Sequence, residues 1–170
     1  HCTILSYADL SHINLRSTTL NNADLRSATL WKADLSYTTL NEAVLWEADL
    51  RHVIFHESVL LKTDLWKANL RYAVFWGTDF WKANLRYTDL RSAIFWETDL
   101  RYADIQGAKL QKADLSYARI NNINWFEDLL NSNSPPEGVK QLQEEYQINP
   151  IFVKDKNGEI YYLIEEKKKY

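Results

Sequence analysis

The sequence has an apolar residue at every fifth position from Leu5 to Trp125, which makes 25 positions without an insertion. Of these residues, 18 are Leu and the others are Phe, Ile and Trp. An α-helix turns by about 100° per residue, so this spacing would spread the apolar side chains around its whole circumference. A flat strand alternates faces at every residue, so the same spacing would place them on opposite faces in turn. The spacing therefore excludes one regular helix or strand over these residues.

The residue two positions before each apolar residue is also restricted, being Ala in 14 repeats and Thr in seven. We interpret each repeat as a three-residue strand with both ends inward, followed by a two-residue corner. In the repeat at 23–27, Ala23 and Leu25 point inward, Asp24 points outward, and Arg26 and Ser27 form the corner. No proline precedes Pro135, as expected of a ladder that uses nearly every backbone N–H. The pattern predicts a chain that winds around an axis and stacks strands coil on coil.

Several repeats contain the triplets ADL or ANL, at 8–10, 33–35, 83–85 and 113–115. These runs resemble the A(D/N)LXX signature of the pentapeptide repeat proteins, and the general character of the whole sequence is most similar to the cyanobacterial members. The resemblance covers roughly residues 3–125. It implies an all-β solenoid, a right-handed quadrilateral β-helix with four repeats per coil and about six coils. The 20-residue spacing of Phe55, Phe75 and Phe95 supports four sides.

After Ile120 the repeat pattern is lost, so we divide the chain into a β-helix at 1–125 and a C-terminal unit at 126–170. The second unit is predicted to be a small α+β tail with two short helices and a β-hairpin. The first helix begins after Asn124, and the second begins at a capping box formed by Ser134 and Glu137, with Tyr146 on its apolar face. Strands 151–154 and 159–164 flank the turn at 155–158. We expect this tail to cap the last coil or to dock a partner.

The repeat is already in register at Thr3, which leaves the first coil without a visible cap. An open strand edge is normally covered or paired, so we expect another segment or another chain to cover it. Since the sequence begins with His1 rather than Met, we also expect a processed N-terminus.

The sequence shows no catalytic constellation, so we expect no enzymatic activity, cofactor, metal or small-molecule substrate. No glycine-rich phosphate loop is present, and the single cysteine, Cys2, cannot form an internal disulfide. The four histidines have no metal-ligand spacing: His1, His12, His52 and His56. No apolar run approaches the ~20 residues that cross a bilayer, so we expect no membrane partner. The compartment stays open among the cytoplasm, the periplasm and the thylakoid lumen.

The net charge of −3 comes entirely from the tail, because residues 1–125 carry 14 acidic and 14 basic side chains. The family includes antibiotic-resistance proteins that mimic DNA and bind gyrase through a strongly negative rod. A neutral rod is a poor mimic of a polyanion. We therefore keep gyrase binding as an alternative, and we expect no nucleic-acid partner.

Six of the seven tryptophans directly follow the inward apolar residue and are predicted to lie outside. One wall also has apolar residues at the outward position where Asp or Asn is usual. Together they predict a protein-interaction surface, called here the apolar patch: Ile54, His56, Val74, Trp76, Trp81, Ile94 and Trp96. Large exposed apolar patches often mark interaction sites, which predicts a protein partner or a homodimer. Two alternatives stay open, a stabilising Trp ladder without a partner and carbohydrate binding through the exposed Trp rings.

Overall fold

The computed structural model describes residues 3–150 and 152–168. The predictions made for His1, for Cys2 and for residue 151 of the hairpin lie outside these residues. From Ile4 to Asp99, the outward residue of each repeat forms a parallel bridge with the residue 20 positions later, as in Ile4–Asp24 and Asp99–Arg119. A 20-residue period built from five-residue repeats gives each coil four sides.

Backbone hydrogen bonds join each coil to the coils on both sides. In the repeat at 23–27, the Asp24 N–H donates to the Thr3 carbonyl at 2.9 Å, and the Leu25 N–H donates to the Val44 carbonyl at 2.8 Å. The corner is a β-turn closed by the Ala28 N–H and the Leu25 carbonyl at 3.1 Å. The chain therefore pairs along the axis while it turns at every fifth residue.

The second residue of each corner has a left-handed backbone, with φ of 54° at Ser27 and 62° at Tyr7. Glycine adopts this conformation without steric cost and occupies the position at Gly77 and Gly107. At Gly107 a Cβ atom would lie 2.4 Å from the ring of Tyr87, so a side chain there would have to displace that ring.

The core is a narrow tube filled by the two inward positions of each repeat, which confirms the predicted inward pattern. Ala23 and Leu25 are fully buried. The Phe55 and Phe75 rings stack at a centroid distance of 5.7 Å, and Phe75 and Phe95 follow at 4.9 Å. Inward hydroxyl residues form hydrogen bonds inside the tube, since the Oγ1 atoms of Thr78 and Thr98 donate to main-chain carbonyls of the preceding coil.

The two ends of the tube differ. At the first coil, Leu5, Leu10 and Leu15 are only partly buried, because no described residue packs beneath them. At the last coil, β1 (Arg119–Ile120) pairs antiparallel with β4 (Ile160–Glu166), which returns along the edge of the tube.

The tail contains α1 (Trp125–Leu130), α2 (Val139–Glu145), β2 (Tyr146–Ile148) and β3 (Val153–Lys154) besides β4. The sheet order is β1-β4-β2, and β3 pairs separately with β4. The Ile164 N–H donates to the Ala118 carbonyl, and the Tyr117 N–H donates to the Ile164 carbonyl. The tail therefore pairs directly with the last coil. No helix among the described residues is long and apolar enough to cross a membrane.

Two details predicted for the tail are wrong. The capping box at Ser134 does not form, because Glu137 pairs with Lys109 at the edge of the coil and α2 begins after Gly138, whose φ is 90°. Tyr146 does not extend the helix, since it begins β2 opposite Glu166. In both places, pairing with an open strand edge replaces the local helical signal.

Candidate functional site

One wall of the β-helix carries a column of apolar residues on its outer side. Bridges connect Ile54 to Val74 and Val74 to Ile94, so the three stack on successive coils. Ile54 is 41% exposed and Ile94 39%. Asp34 precedes the column and Asp114 follows it on the same wall. The wall is therefore apolar over three coils and acidic at both ends.

The corner beside this column holds a stack of aromatic rings. His56 and Trp76 lie 4.4 Å apart between ring centroids, and Trp76 and Trp96 lie 5.1 Å apart. Tyr37 extends the stack at 5.2 Å from His56, and Tyr117 extends it at 6.3 Å from Trp96. We call these five residues the aromatic ladder. Trp76 is 40% exposed and Trp96 36%, so part of each Trp side chain is in contact with solvent.

Sequence analysis missed the two tyrosines of the ladder because each occupies the second corner position, one residue later than His56, Trp76 and Trp96 in its repeat. A 20-residue comparison that allowed a shift of one residue at the corners would have found Tyr37 and Tyr117.

Six of the seven predicted residues lie on this wall and corner, whereas Trp81 lies at the next corner, as its repeat position predicts. Its ring contacts Tyr102 at 6.2 Å, and the Lys82 amine lies over it at 4.1 Å. A cavity of about 340 Å³ separates Trp81 from the hairpin turn of the tail, lined also by Asp79 and Arg101. Trp81 is therefore part of a second, more polar environment.

Acidic side chains surround the ladder. Glu57 and Glu97 occupy the second corner positions next to it, and both are exposed. The His56 Nε2 atom lies 3.5 Å from a Glu57 carboxylate oxygen. Arg16 pairs with Asp34 at 3.0 Å below the apolar column. The middle and upper parts of the ladder are thus bordered by acidic residues, whereas at its lower end the Arg16 guanidinium lies 5.2 Å from the centre of the Tyr37 ring.

Above the ladder, the end of β4 passes beyond the corner of the last coil and forms a groove of about 600 Å³. We call it the β4 groove. Its lining is Ile94, Trp96, Asp114, Ser116, Tyr117, Glu165, Glu166 and Lys168. Burial, together with the Asp114 carboxylate nearby, raises the pKa of Tyr146 beside this groove. The groove therefore joins the top of the ladder to a group of carboxylates.

Most charges on the other walls are paired within the chain. Arg51 binds Asp49 at 2.6 Å, and this hydrogen bonding lowers the pKa of Asp49. Arg101 is buried and binds Asp99 at 2.7 Å and Asp155 of the hairpin turn at 2.9 Å. Within 3–150 and 152–168, no group of three or more His, Cys, Asp or Glu side chains is arranged to hold a metal ion.

A family model described as pentapeptide repeats matches the chain in eight copies, over residues 3–31, 32–60, 55–80 and 82–116. This match implies a right-handed quadrilateral β-helix, in agreement with the 20-residue bridges. The comparison with curated protein sequences gives no match.

Three solved structures of other proteins are similar to this chain, with sequence identities between 18% and 27%. The pentapeptide repeat protein Rfr23 from the cyanobacterium Cyanothece 51142 is 22% identical, with 67% of this chain and 84% of that chain covered and a TM-score of 0.46. HetL, involved in heterocyst differentiation regulation in the cyanobacterium Nostoc sp. strain PCC 7120, is 27% identical, with 68% and 65% covered and a TM-score of 0.30. QnrB1, a plasmid-mediated fluoroquinolone resistance protein, is 18% identical, with 69% and 72% covered and a TM-score of 0.34.

Proposed function

The chain belongs to the pentapeptide repeat family, as its A(D/N)LXX runs indicated, and we propose that it is a non-enzymatic scaffold that binds another protein through the apolar patch. The observation that carries this proposal is the apolar column beside the aromatic ladder. Ring stacking alone explains His56, Trp76 and Trp96, since stacked rings stabilise one another. It does not explain Ile54 and Ile94, which lie outside the stack and remain about two-fifths exposed. Exposed apolar residues next to Trp favour a binding surface.

Within this proposal the two parts of the chain have different roles. The repeats form a β-helix of about six coils that holds the patch rigid. The tail, which begins with α1 at Trp125 and contains two helices and the hairpin, acts as a cap. The pairing of β4 with β1, and of Glu137 with Lys109, supports the capping role because it satisfies backbone groups at the last coil.

The two alternative functions have less support. A sugar platform needs an open ring face, whereas Trp76 and Trp96 lie against each other at an interplanar angle of 33°. A DNA mimic needs a negative rod, whereas the repeat region carries equal numbers of acidic and basic residues. Glycan-array binding and a gyrase supercoiling assay measure these alternatives directly.

The test is a double substitution in the patch, Val74→Asp with Trp76→Ala. Asp is the usual outward residue of the repeats, so this variant should fold. The matched control is Val44→Asp with Trp46→Ala, which makes the same changes in the same local context on another wall, where Trp46 is also 40% exposed. We expect the patch variant to lose its bound protein partner, or its self-association, while the control keeps it.

Affinity capture from the source organism and light scattering provide the two measurements. Circular dichroism and thermal unfolding check that both variants keep the β-helix. Equal capture and equal oligomeric state for wild type and the two folded variants would refute the proposed surface.

A further inference from the structure

The β4 groove combines an aromatic floor with carboxylates at its rim. Trp96 and Tyr117, the upper end of the aromatic ladder, contribute the rings, and Ile94 contributes the end of the apolar column. Asp114 lies on the wall of the coil, whereas Glu165 and Glu166 come from β4. Two parts of the chain that are distant in sequence thus build one groove that is continuous with the apolar patch.

The carboxylates of this groove have no cationic partner among residues 3–150 and 152–168. None of Asp114, Glu165 and Glu166 forms an ion pair there, whereas Asp24, Asp49, Asp89 and Asp99 each bind an arginine two residues later. Asp114 accepts hydrogen bonds from the Ser116 N–H at 2.9 Å and from the Tyr146 hydroxyl at 3.3 Å. Lys168 is the one cation in the lining, so the lining side chains carry a net charge of −2.

We infer that the β4 groove receives a lysine or arginine side chain of the protein partner, and this inference rests on the proposed function. A cation in the groove would lie against the ring of Tyr117, which is 48% exposed, in cation–π contact. It would also form charge-assisted hydrogen bonds with these carboxylates, of which Glu165 already accepts a hydrogen bond from the Asn149 side-chain amide at 2.9 Å. Neither contribution is available to an apolar or acidic side chain of the same size, so the groove selects for a cation.

The charge around the whole surface points to the same kind of partner. Glu57 and Glu97 lie beside the ladder on the face that a partner would cover. A second copy related by a two-fold axis would bring this negative surface against an identical one, and opposed like charges are unfavourable at an interface. A segment with apolar residues flanked by Lys or Arg complements both the apolar column and its acidic border.

The experiment is a selection of random peptides displayed on phage against immobilised wild-type protein. Enriched peptides are synthesised, and their affinity is measured by fluorescence anisotropy at two salt concentrations. We expect the enriched peptides to contain Lys or Arg next to Leu, Ile or aromatic residues. Replacement of that cation by norleucine in the peptide should weaken binding about 5- to 10-fold, in line with one charge-assisted contact at a partly exposed site.

Three protein variants separate the groove from the rest of the surface. Glu165→Gln with Glu166→Gln should weaken the cationic peptide about 5- to 10-fold and leave the norleucine peptide unchanged. Lys168→Gln should tighten the cationic peptide, a gain that loss of structure cannot produce. Trp76→Ala, which lies outside the groove lining, should weaken both peptides.

The outcomes distinguish the two proposals. If the enriched peptides depend on Trp76 but show no preference for Lys or Arg, the inference about the β4 groove is wrong, whereas the proposed binding surface is still supported. The inference is also wrong if cationic peptides bind wild type and the Glu165→Gln, Glu166→Gln variant with the same affinity. If no enriched peptide depends on Trp76, the proposed function itself is wrong.

Discussion

At the scale of single residues, the corners show how the repeat tolerates an unfavourable backbone conformation. Ser27 has a φ of 54°, in the left-handed region that costs a non-glycine residue about 1 kcal/mol or more. The Ser27 N–H donates to the Trp46 carbonyl at 2.8 Å, and the turn around it is closed by the Ala28 N–H. These two hydrogen bonds hold the conformation, which explains why glycine is not required at most corners.

Substitutions at Ser27 should therefore depend on backbone preference and not on side-chain contacts. Ser27→Val should lower the free energy of unfolding by about 1–3 kcal/mol, because a β-branched residue strongly disfavours positive φ. Ser27→Gly should stay within about 0.5 kcal/mol of wild type, since relief of strain offsets the greater entropy of the unfolded chain. Urea unfolding of the two variants and of wild type measures both changes in the free energy of unfolding. Equal effects of Val and Gly would show that the left-handed conformation carries no cost here.

The outward aspartates have a local hydrogen-bonding role at the corners. The Asp9 carboxylate accepts the Ser11 N–H at 3.0 Å, and the Asp79 carboxylate accepts the Trp81 N–H at 2.9 Å. Most of these carboxylates whose pKa is shifted have it lowered, and hydrogen bonds from Arg26 lower the pKa of Asp24 to about 2. Asp79 differs, because burial raises its pKa. The negative charge of Asp99 raises this pKa further, whereas the positive charges of Arg101 and Arg119 lower it.

Asp79 and Asp49 should therefore respond to pH with opposite signs. Since the pKa of folded Asp79 lies above its ordinary value of 3.8, its ionisation reduces stability as pH rises. Asp79→Asn, which keeps an acceptor for the corner N–H, should be more stable than wild type at pH 7, and the difference should vanish near pH 3. The pKa of Asp49 is lowered, so Asp49→Asn should be less stable at pH 7 and approach wild type in acid.

Thermal unfolding of wild type and both variants between pH 3 and pH 7 measures these differences. A destabilised Asp79→Asn at pH 7 would contradict the prediction, because it would mean that the buried carboxylate gains more from Arg101 and Arg119 than it loses by desolvation.

At the scale of elements, β4 is the element that pairs with the last coil at the upper end of the tube. It pairs with β1, β2 and β3, and Ile164 at its centre is fully buried. The hairpin turn is attached separately through Asp155 and the buried Arg101. The tail is therefore attached at three places among the described residues: the strand ladder, this ion pair, and the pairing of Glu137 with Lys109 at the edge of the coil.

Loss of the central contact should detach the tail without unfolding the tube. Ile164→Asn places an amide in a buried apolar site, and we expect a loss of about 2–4 kcal/mol in the stability of the tail. In hydrogen exchange, the amides of Tyr117 and Ile164 should lose protection, whereas the amide of Leu45 in the middle coils should keep it. Uniform loss of protection over the whole chain would show that tube and tail unfold as one unit.

The repeat could be predicted because its burial pattern is local: each repeat has its own inward and outward positions, and no distant residue changes them. The errors occur where distant parts meet. Ser134 and Tyr146 both lie in sequences that are typical of a helix. In the structure, however, the open strand edge of the coil pairs with Glu137, and β4 pairs with Tyr146. The apolar patch was visible as exceptions to the repeat, whereas the β4 groove was not, because Glu165 reaches Trp96 only after the tail has folded back.

At the scale of the whole molecule, the chain is close to a one-dimensional stack in which each coil contacts only its neighbours. Such a molecule is stabilised least at an end that lacks a neighbour. The described structure shows this asymmetry, since Leu10 in the first coil is partly buried and Leu50, two coils later in the same column, is fully buried. Identical side chains in identical repeat positions therefore differ only in their distance from the end.

This difference gives a direct test of the stack. Leu50→Ala should reduce the free energy of unfolding by about 2–5 kcal/mol, because it leaves a cavity between two coils. Leu10→Ala should cost less than half of that, since part of its surface is already in contact with solvent, and its effect in hydrogen exchange should be confined to the first coil. Urea unfolding and hydrogen exchange of both variants provide the comparison. If the two substitutions cost the same, another part of the protein covers the first coil in solution, and the open end is an interface of its own.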